Sequence, residues 1–207
     1  MLLYAITGRR HLPGGELEQQ AALVALAGNW ARGGVDYIQL REKDLAADDL
    51  LVFAQRIVAA VRLEGRETKV LVNGPADVAL EAGADGVHLP GSAPGSAADE
   101  ARRIYRAGGR EAIVSRACHS VEEAGAADAL LIVFAPVFEK VDTSAGDSIV
   151  GQGLGALSEA CQAAGAVPVI ALGGVTRENA AECVAAGAAG VAGIRLFLGD
   201  EWRAFRR

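Results

Sequence analysis

Gly33-Gly34-Val35-Asp36-Tyr37-Ile38 returns in degenerate form as Ala82-Gly83-Ala84-Asp85-Gly86-Val87, and again as Ala186-Gly187-Ala188-Ala189-Gly190-Val191. Each copy reads as a glycine that ends a helix, a tight turn, and the start of a strand. Glycine enters the left-handed C-cap conformation at no steric cost, so the pattern marks a helix-to-strand junction. Three such junctions in one chain predict repeated β/α units.

Outward from these junctions, short apolar runs alternate with alanine-rich stretches of helical spacing. Strands are expected at Leu2–Thr7, Asp36–Glu42, Lys69–Gly74, Gly86–Pro90, Ala112–His119, Ala129–Phe138, Val167–Gly173 and Gly190–Phe197. Helices are expected at Leu17–Arg32, Ala46–Leu63, Ala97–Arg106, Gly155–Ala163 and Asn179–Ala185. Eight strands separated by helices suit a single-domain (β/α)8 TIM barrel of the α/β class spanning residues 1–207. A doubly wound open sheet would use the same junctions, so the repeat fixes the units, and the strand count argues for closure. The 207 residues amount to about one domain, short for a barrel, which typically takes roughly 200–250. Glu139–Gly155 is the one long glycine- and serine-rich stretch outside the rhythm. It reads as an active-site lid, with a plain surface loop as the alternative.

Hydrophobic residues make up 51% of the chain and charged residues 22%, enough for a sizeable core. The formal net charge of −6 argues against nucleic acid as a partner, because no basic face displaces counterions. Any anionic ligand then needs a local cluster of donors. Cys118, Cys161 and Cys183 lie far apart without C-x-x-C spacing and read as reduced thiols of a cytoplasmic protein. The absence of an 18-residue apolar run and of a basic leader predicts neither a membrane span nor secretion. The oligomeric state stays open, with a homo-oligomer among the options.

In a barrel, side chains at the carboxyl ends of the strands converge on one mouth. The second strand ends Gln39-Leu40-Arg41-Glu42-Lys43, and residues two apart share a face, so Gln39, Arg41 and Lys43 are expected to point inward together. Such donors call for a phosphate or carboxylate; the alternative pairs Arg41 and Lys43 with acids of neighbouring strands. The seventh strand ends Ala171-Leu172-Gly173-Gly174-Val175 before a helix that Thr176 could cap, and the eighth runs through Gly193, Ile194 and Arg195. Loops there commonly cradle phosphate with backbone N–H groups, so Gly173, Gly174, Gly193 and Arg195 are expected to do so, with a plain tight turn as the alternative. His11 reads as a loop residue and His88 as a packed, hydrogen-bonded histidine. His119, at the end of the fifth strand, is the candidate acid/base. Its neighbour Cys118 should face the outer helices, since adjacent strand residues point opposite ways. No metal constellation is visible: Asn73-Gly74 and Leu89-Pro90-Gly91-Ser92-Ala93 end the third and fourth strands without a carboxylate.

Tyr4-Ala5-Ile6-Thr7, Gln39-Leu40-Arg41-Glu42-Lys43, Val72-Asn73, Gly86-Val87-His88-Leu89, Cys118-His119-Ser120 and Ala171-Leu172-Gly173-Gly174-Val175 together resemble the thiamine-phosphate synthase and TenI superfamily. The resemblance covers nearly the whole chain in order and implies the barrel. One branch joins a pyrimidine pyrophosphate to a thiazole phosphate, using Mg²⁺ held by two aspartates. The other, the TenI thiazole tautomerases, aromatises a thiazole carboxylate phosphate by moving a proton without metal. Where the synthase pattern has its metal aspartates, this chain has Gly74 and, near the second, Ala93. Its serine two residues before the histidine is Ala117, and Lys140-Val141-Asp142-Thr143-Ser144 replaces its Thr-x-Thr-Lys loop. Val72-Asn73-Gly74, Leu89-Pro90-Gly91-Ser92, His119-Ser120-Val121-Glu122-Glu123-Ala124 and Val137-Phe138-Glu139 are similar to the tautomerase branch.

The resemblance thus implies a tautomerase of thiamine biosynthesis that needs no cofactor. His119 would act as acid/base, and Gly173, Gly174, Gly193 and Ile194 would hold the phosphate of a small phosphorylated thiazole. Gln39, Arg41, Lys43, Asn73 and Arg195 complete the expected substrate-binding set. Two rivals are a thiamine-phosphate synthase with altered metal sites and a non-catalytic barrel that binds a phosphorylated ligand. The 140–151 loop and Arg195 depart from both branches.

Overall fold

The computed structural model describes residues 1–64, 67–141 and 148–206. Eight parallel strands close into a barrel: β1 (Leu2–Ile6), β2 (Tyr37–Leu40), β3 (Lys69–Val72), β4 (Gly86–Leu89), β5 (Ile113–Cys118), β6 (Leu131–Phe134), β9 (Val169–Ala171) and β10 (Gly190–Gly193). The ring closes where β1 pairs with β10, Leu2 facing Gly190 and Ala5 facing Gly193. The open sheet is thereby excluded. Helices α1 (Glu16–Arg32), α2 (Ala47–Leu63), α3 (Ala76–Glu81), α4 (Ala97–Ala107), α5 (Val121–Gly125), α6 (Gly153–Ala163) and α7 (Ala180–Ala185) connect them. A two-stranded antiparallel hairpin, β7 (Lys140–Val141) with β8 (Ser148–Ile149), rises between β6 and α6.

The repeat behaves as its chemistry requires. Gly34, Gly83 and Gly187 take φ values of +86°, +75° and +107°, so each sits in the left-handed region. The aspartate two residues on reaches across the barrel wall. Asp36 Oδ2 accepts from Leu3 N at 2.7 Å, and Asp85 Oδ2 accepts from Val70 N at 2.7 Å. These carboxylates satisfy N–H groups near the start of the neighbouring strand, which otherwise have no ladder partner. In the third copy the position is Ala189.

Strand alternation builds two cores. Tyr4, Ile6, Leu71, Leu131, Val133, Ile170 and Ala192 fill the barrel, each no more than 3% exposed. The alternate residues, Leu3, Ile38, Val70, Cys118, Ile132 and Phe134 among them, pack outward against the helices. Cys118 therefore faces away from the mouth as expected. Burial in apolar surroundings pushes its thiol up to about 11, so it stays protonated at neutral pH. Trp30 and Trp202 flank Phe197, and Trp30 Nε1 donates to Phe197 O at 2.8 Å, pinning the C-terminal turns on α1.

Several boundaries differ from expectation. The second strand stops at Leu40 instead of Glu42, the sixth at Phe134 instead of Phe138, and the eighth barrel strand at Gly193, beyond which Arg195–Phe197 form a 3-10 turn. Helix α6 begins at Gly153, two residues inside the expected loop. Helices α3 and α5, of six and five residues, are too short for a helical period to stand out in sequence. The lid reading of Glu139–Gly155 falls in large part on 142–147, outside the described residues.

Candidate active site

His119 sits one residue past β5 and is exposed at the carboxyl end of the barrel. Its backbone is held by the start of α5. Ser120 Oγ accepts from Glu123 N at 3.2 Å, and Glu123 Oε2 accepts from His119 N at 2.6 Å. This is a Ser-x-x-Glu cap whose return bond reaches one residue beyond the cap itself. The ring is oriented by the neighbouring strand, with Nδ1 2.8 Å from Ala135 O. A carbonyl oxygen only accepts, so Nδ1 must carry the proton and Nε2 presents its lone pair. Gln152 Nε2 donates to the same carbonyl at 3.1 Å. No sequence signal singled out Gln152, because it acts through a backbone oxygen.

Nε2 faces the β4–α4 loop. A Cβ built on Gly91 would lie 2.9 Å from His119 Cδ2 and 3.2 Å from Nε2, so Gly91 keeps the space beside the lone pair open. Gly91→Ala should push the ring off its carbonyl and lower turnover by about tenfold, since misplacement of a catalytic group by around 1 Å costs up to two orders of magnitude. Steady-state kinetics with unchanged folding by circular dichroism would test this.

On β2, Gln39 pairs with Ile6 and Leu71, both in the inner core, and is 1% exposed. Arg41 follows the strand and is half-buried, close enough to His88 to disfavour a second positive charge there. Lys43 departs from expectation: it lies in an exposed turn past the strand, where alternation no longer holds. Neither Arg41 nor Lys43 has an ion pair among the described residues. The acids beside them are engaged elsewhere, against the reading that these cations merely close the rim.

Those acids belong to a cluster that sequence reasoning missed. Arg9, 2% exposed, pairs with Glu42 at 2.7 Å, Asp44 at 2.5 Å and Glu16 at 2.7 Å. Hydrogen bonds from Arg9 hold Asp44 well below the usual carboxylate range. Thr7 Oγ1, fully buried, donates to Glu42 Oε1 at 2.7 Å and accepts from Arg41 N at 2.9 Å. The cluster thus ties the loop after β1 to the backbone that carries Arg41.

Across the mouth, Gly173 and Gly174 take φ of +98° and +63°. A Cβ at Gly173 would lie 2.7 Å from Pro136 Cα, and one at Gly174 2.7 Å from Glu139 O. Gly173 O accepts from Phe138 N at 3.0 Å, locking this loop to the segment after β6. Among the described residues, the N–H groups of Gly173, Gly174, Ile194 and Arg195 have no backbone acceptor. They flank one corner of the mouth, where β9 and β10 are neighbours. Gly193 is buried and Ile194 packs on the inner core, while Arg195 is exposed on the 3-10 turn.

Helix α7 starts only at Ala180, so the loop itself, not that helix terminus, supplies these donors. Thr176 caps the turn before the helix: its Oγ1 accepts from Glu178 N at 3.2 Å. Gly173→Ala should cost about 1–3 kcal/mol through backbone strain, before the clash is counted. Urea unfolding would read the loss. A change below half a unit would show the loop to be plastic.

Asn73 Nδ2 donates to His88 O at 3.1 Å, which ties the end of β3 to β4. His88 is packed and hydrogen-bonded, as expected, and His11 is exposed in the turn after β1.

Residues 3–197 match the family described as thiamine monophosphate synthase. The chain belongs to that family. Two relatives named thiamine-phosphate synthase bear this out. The Methanoregula boonei protein is 38% identical over 96% of this chain and 86% of its own. The Methanoculleus marisnigri protein is 39% identical over 82% and 77%. The solved thiamine phosphate pyrophosphorylase from Pyrococcus furiosus superposes with a TM-score of 0.75 at 25% identity, covering 98% of this chain and 90% of that one.

Mg²⁺, implied for the synthase branch of the family, finds no fitting donors at the two positions concerned. Gly74 offers no side-chain donor, and a Cβ there would lie 2.8 Å from Leu50 Cδ2. Ala93 packs on the outer core and its carbonyl accepts from Arg116 Nη2 at 2.5 Å. Among the described residues, no group of three or more His, Cys, Asp or Glu side chains is arranged to hold a metal ion.

Proposed function

We propose that this protein is an enzyme of thiamine biosynthesis that acts on a phosphorylated thiazole, and that its chemistry is a metal-independent proton shift. The observation that carries the reading is His119, with Nδ1 committed to Ala135 O and Nε2 open beside Gly91. Substrate and product of such a shift are isomers. Nε2 takes a proton from the ring, the electron pair of the broken bond enters the ring system, and the imidazolium returns a proton at a second ring atom. The N–H groups of Gly173, Gly174, Ile194 and Arg195, without a backbone acceptor among the described residues, would hold the phosphate. Gln39 and Arg41 would face the carboxylate, and Asn73 would keep β4 in place beneath it.

The second reading is thiamine-phosphate synthase, a transferase. The names of the relatives favour it over the first, whereas the residues at the mouth favour the first. The synthase must neutralise a departing pyrophosphate, and here Arg41 and Lys43 would carry that burden alone. A paired assay separates the two: thiazole carboxylate phosphate alone, and hydroxymethylpyrimidine pyrophosphate with thiazole phosphate, each with and without Mg²⁺. Isomerisation that survives chelation supports the tautomerase. Mg²⁺-dependent thiamine phosphate formation overturns it, and turnover in neither assay leaves a ligand-binding barrel.

A further inference from the structure

Inside the barrel, three polar side chains meet on different strands. His88 Nδ1 lies 2.6 Å from Ser115 Oγ and 3.3 Å from the Tyr4 hydroxyl, which is itself 3.0 Å from Ser115 Oγ. Tyr4 and Ser115 are wholly buried and His88 is 6% exposed. Counting hydrogens settles who donates. If Nδ1 carried a proton it would donate to Ser115, and one of the two hydroxyl hydrogens would be left buried without an acceptor. That omission costs about 1–3 kcal/mol. With Nδ1 bare, Tyr4 donates to Ser115, Ser115 donates to Nδ1, and every hydrogen is used. Nε2 must then carry the imidazole proton.

That Nε2–H has no partner among the described residues, yet no buried side-chain nitrogen or oxygen among them goes unsatisfied. Nε2 therefore reaches open space, and for a side chain inside the barrel near the end of β4 that space is the mouth. Burial and the nearby Arg41 guanidinium hold the ring neutral, down to about 3. An uncharged donor stands near a cation that has no counter-ion among the described residues. β4 lies diametrically opposite β10, whose following loop carries the N–H groups of Ile194 and Arg195, without a backbone acceptor among the described residues.

We propose that His88 is a ligand-reading residue: the Tyr4–Ser115 relay fixes its Nε2–H as a donor which, with Arg41, takes the carboxylate of a heteroaromatic ring whose phosphate rests on the β9–β10 loops. The proposal deepens the functional reading above and rests on it for the identity of the ring. Two anionic ends held on opposite walls would orient the ring between them, below His119.

The test uses ¹⁵N-labelled full-length protein saturated with inorganic phosphate, with thiazole-2-carboxylate and unsubstituted thiazole as probes. Long-range ¹H–¹⁵N spectra should show His88 as the Nε2–H tautomer from pH 6 to 8, and its ring signals should move with the carboxylate probe only. His88→Phe should weaken that probe by about tenfold, as expected for losing a hydrogen bond to a charged group. His88→Gln, which keeps a neutral donor, should recover much of the affinity. Unchanged phosphate binding in both variants controls for folding. An Nδ1–H tautomer, equal response to both probes, or full affinity in His88→Phe overturns the proposal. Turnover in the paired assay without any His88 response would refute this inference alone. A His88 response without turnover would refute the tautomerase reading alone.

Discussion

His119→Ala is expected to lower isomerisation of thiazole carboxylate phosphate by about 10²–10⁴-fold, the range a positioned general base supplies. Binding of the phosphate end should persist, because the proposed cradle lies in the loops after β9 and β10 and shares no side chain with His119. Stability should change little. The ring is exposed and makes one backbone hydrogen bond, and the cap formed by Ser120 and Glu123 acts through the main chain. Steady-state kinetics and calorimetric phosphate titration on the same preparation give both halves of the result. Turnover near the wild-type rate would remove the imidazole from the mechanism and with it the main support for a proton shift.

Arg9→Ala is expected to be the most damaging of the substitutions considered for stability. The guanidinium is almost fully buried, and Glu42 beside it is 5% exposed. Removing the cation strands a carboxylate with little water, and breaking a buried pair in this way costs about 3–5 kcal/mol. Thr7 and the Arg9 N–H would still hold Glu42, which places the loss toward the lower end. Arg9→Ala/Glu42→Gln should recover part of it by removing the stranded charge, and the double-mutant cycle isolates the coupling. Urea denaturation monitored by tryptophan fluorescence suits a chain with Trp30 and Trp202 in its core. A single-mutant loss under 1 kcal/mol would show that water reaches Glu42.

The barrel was legible because its junctions repeat: a glycine of positive φ followed by a strand occurs three times, and each carries its own physical cause. The motif residues at strand ends were legible for a similar reason, since alternation places Gln39 inward and Cys118 outward without knowledge of the rest. Alternation failed where the strand stopped. Lys43 was placed by extending a two-residue period past Leu40, and Arg195 by expecting the eighth strand to run on past Gly193; both lie in exposed turns. The buried Arg9 cluster and the Tyr4–Ser115–His88 relay were invisible for another reason. Most of their members come from separate β/α units: Arg9 meets Glu42 and Asp44 only once the β1 and β2 units pack side by side, and Tyr4 meets His88 and Ser115 only across the closed ring. Gln152 was hidden because its partner is a carbonyl, which every residue has.

The packed interior of Tyr4, Leu71, Leu131, Val133 and Ile170 leaves the barrel no back door. Whatever enters must leave by the same opening, so arrival and departure exclude one another in time. A lingering product would therefore compete with substrate for the one opening, and any step that slowed its escape would set a ceiling on throughput however fast the chemistry.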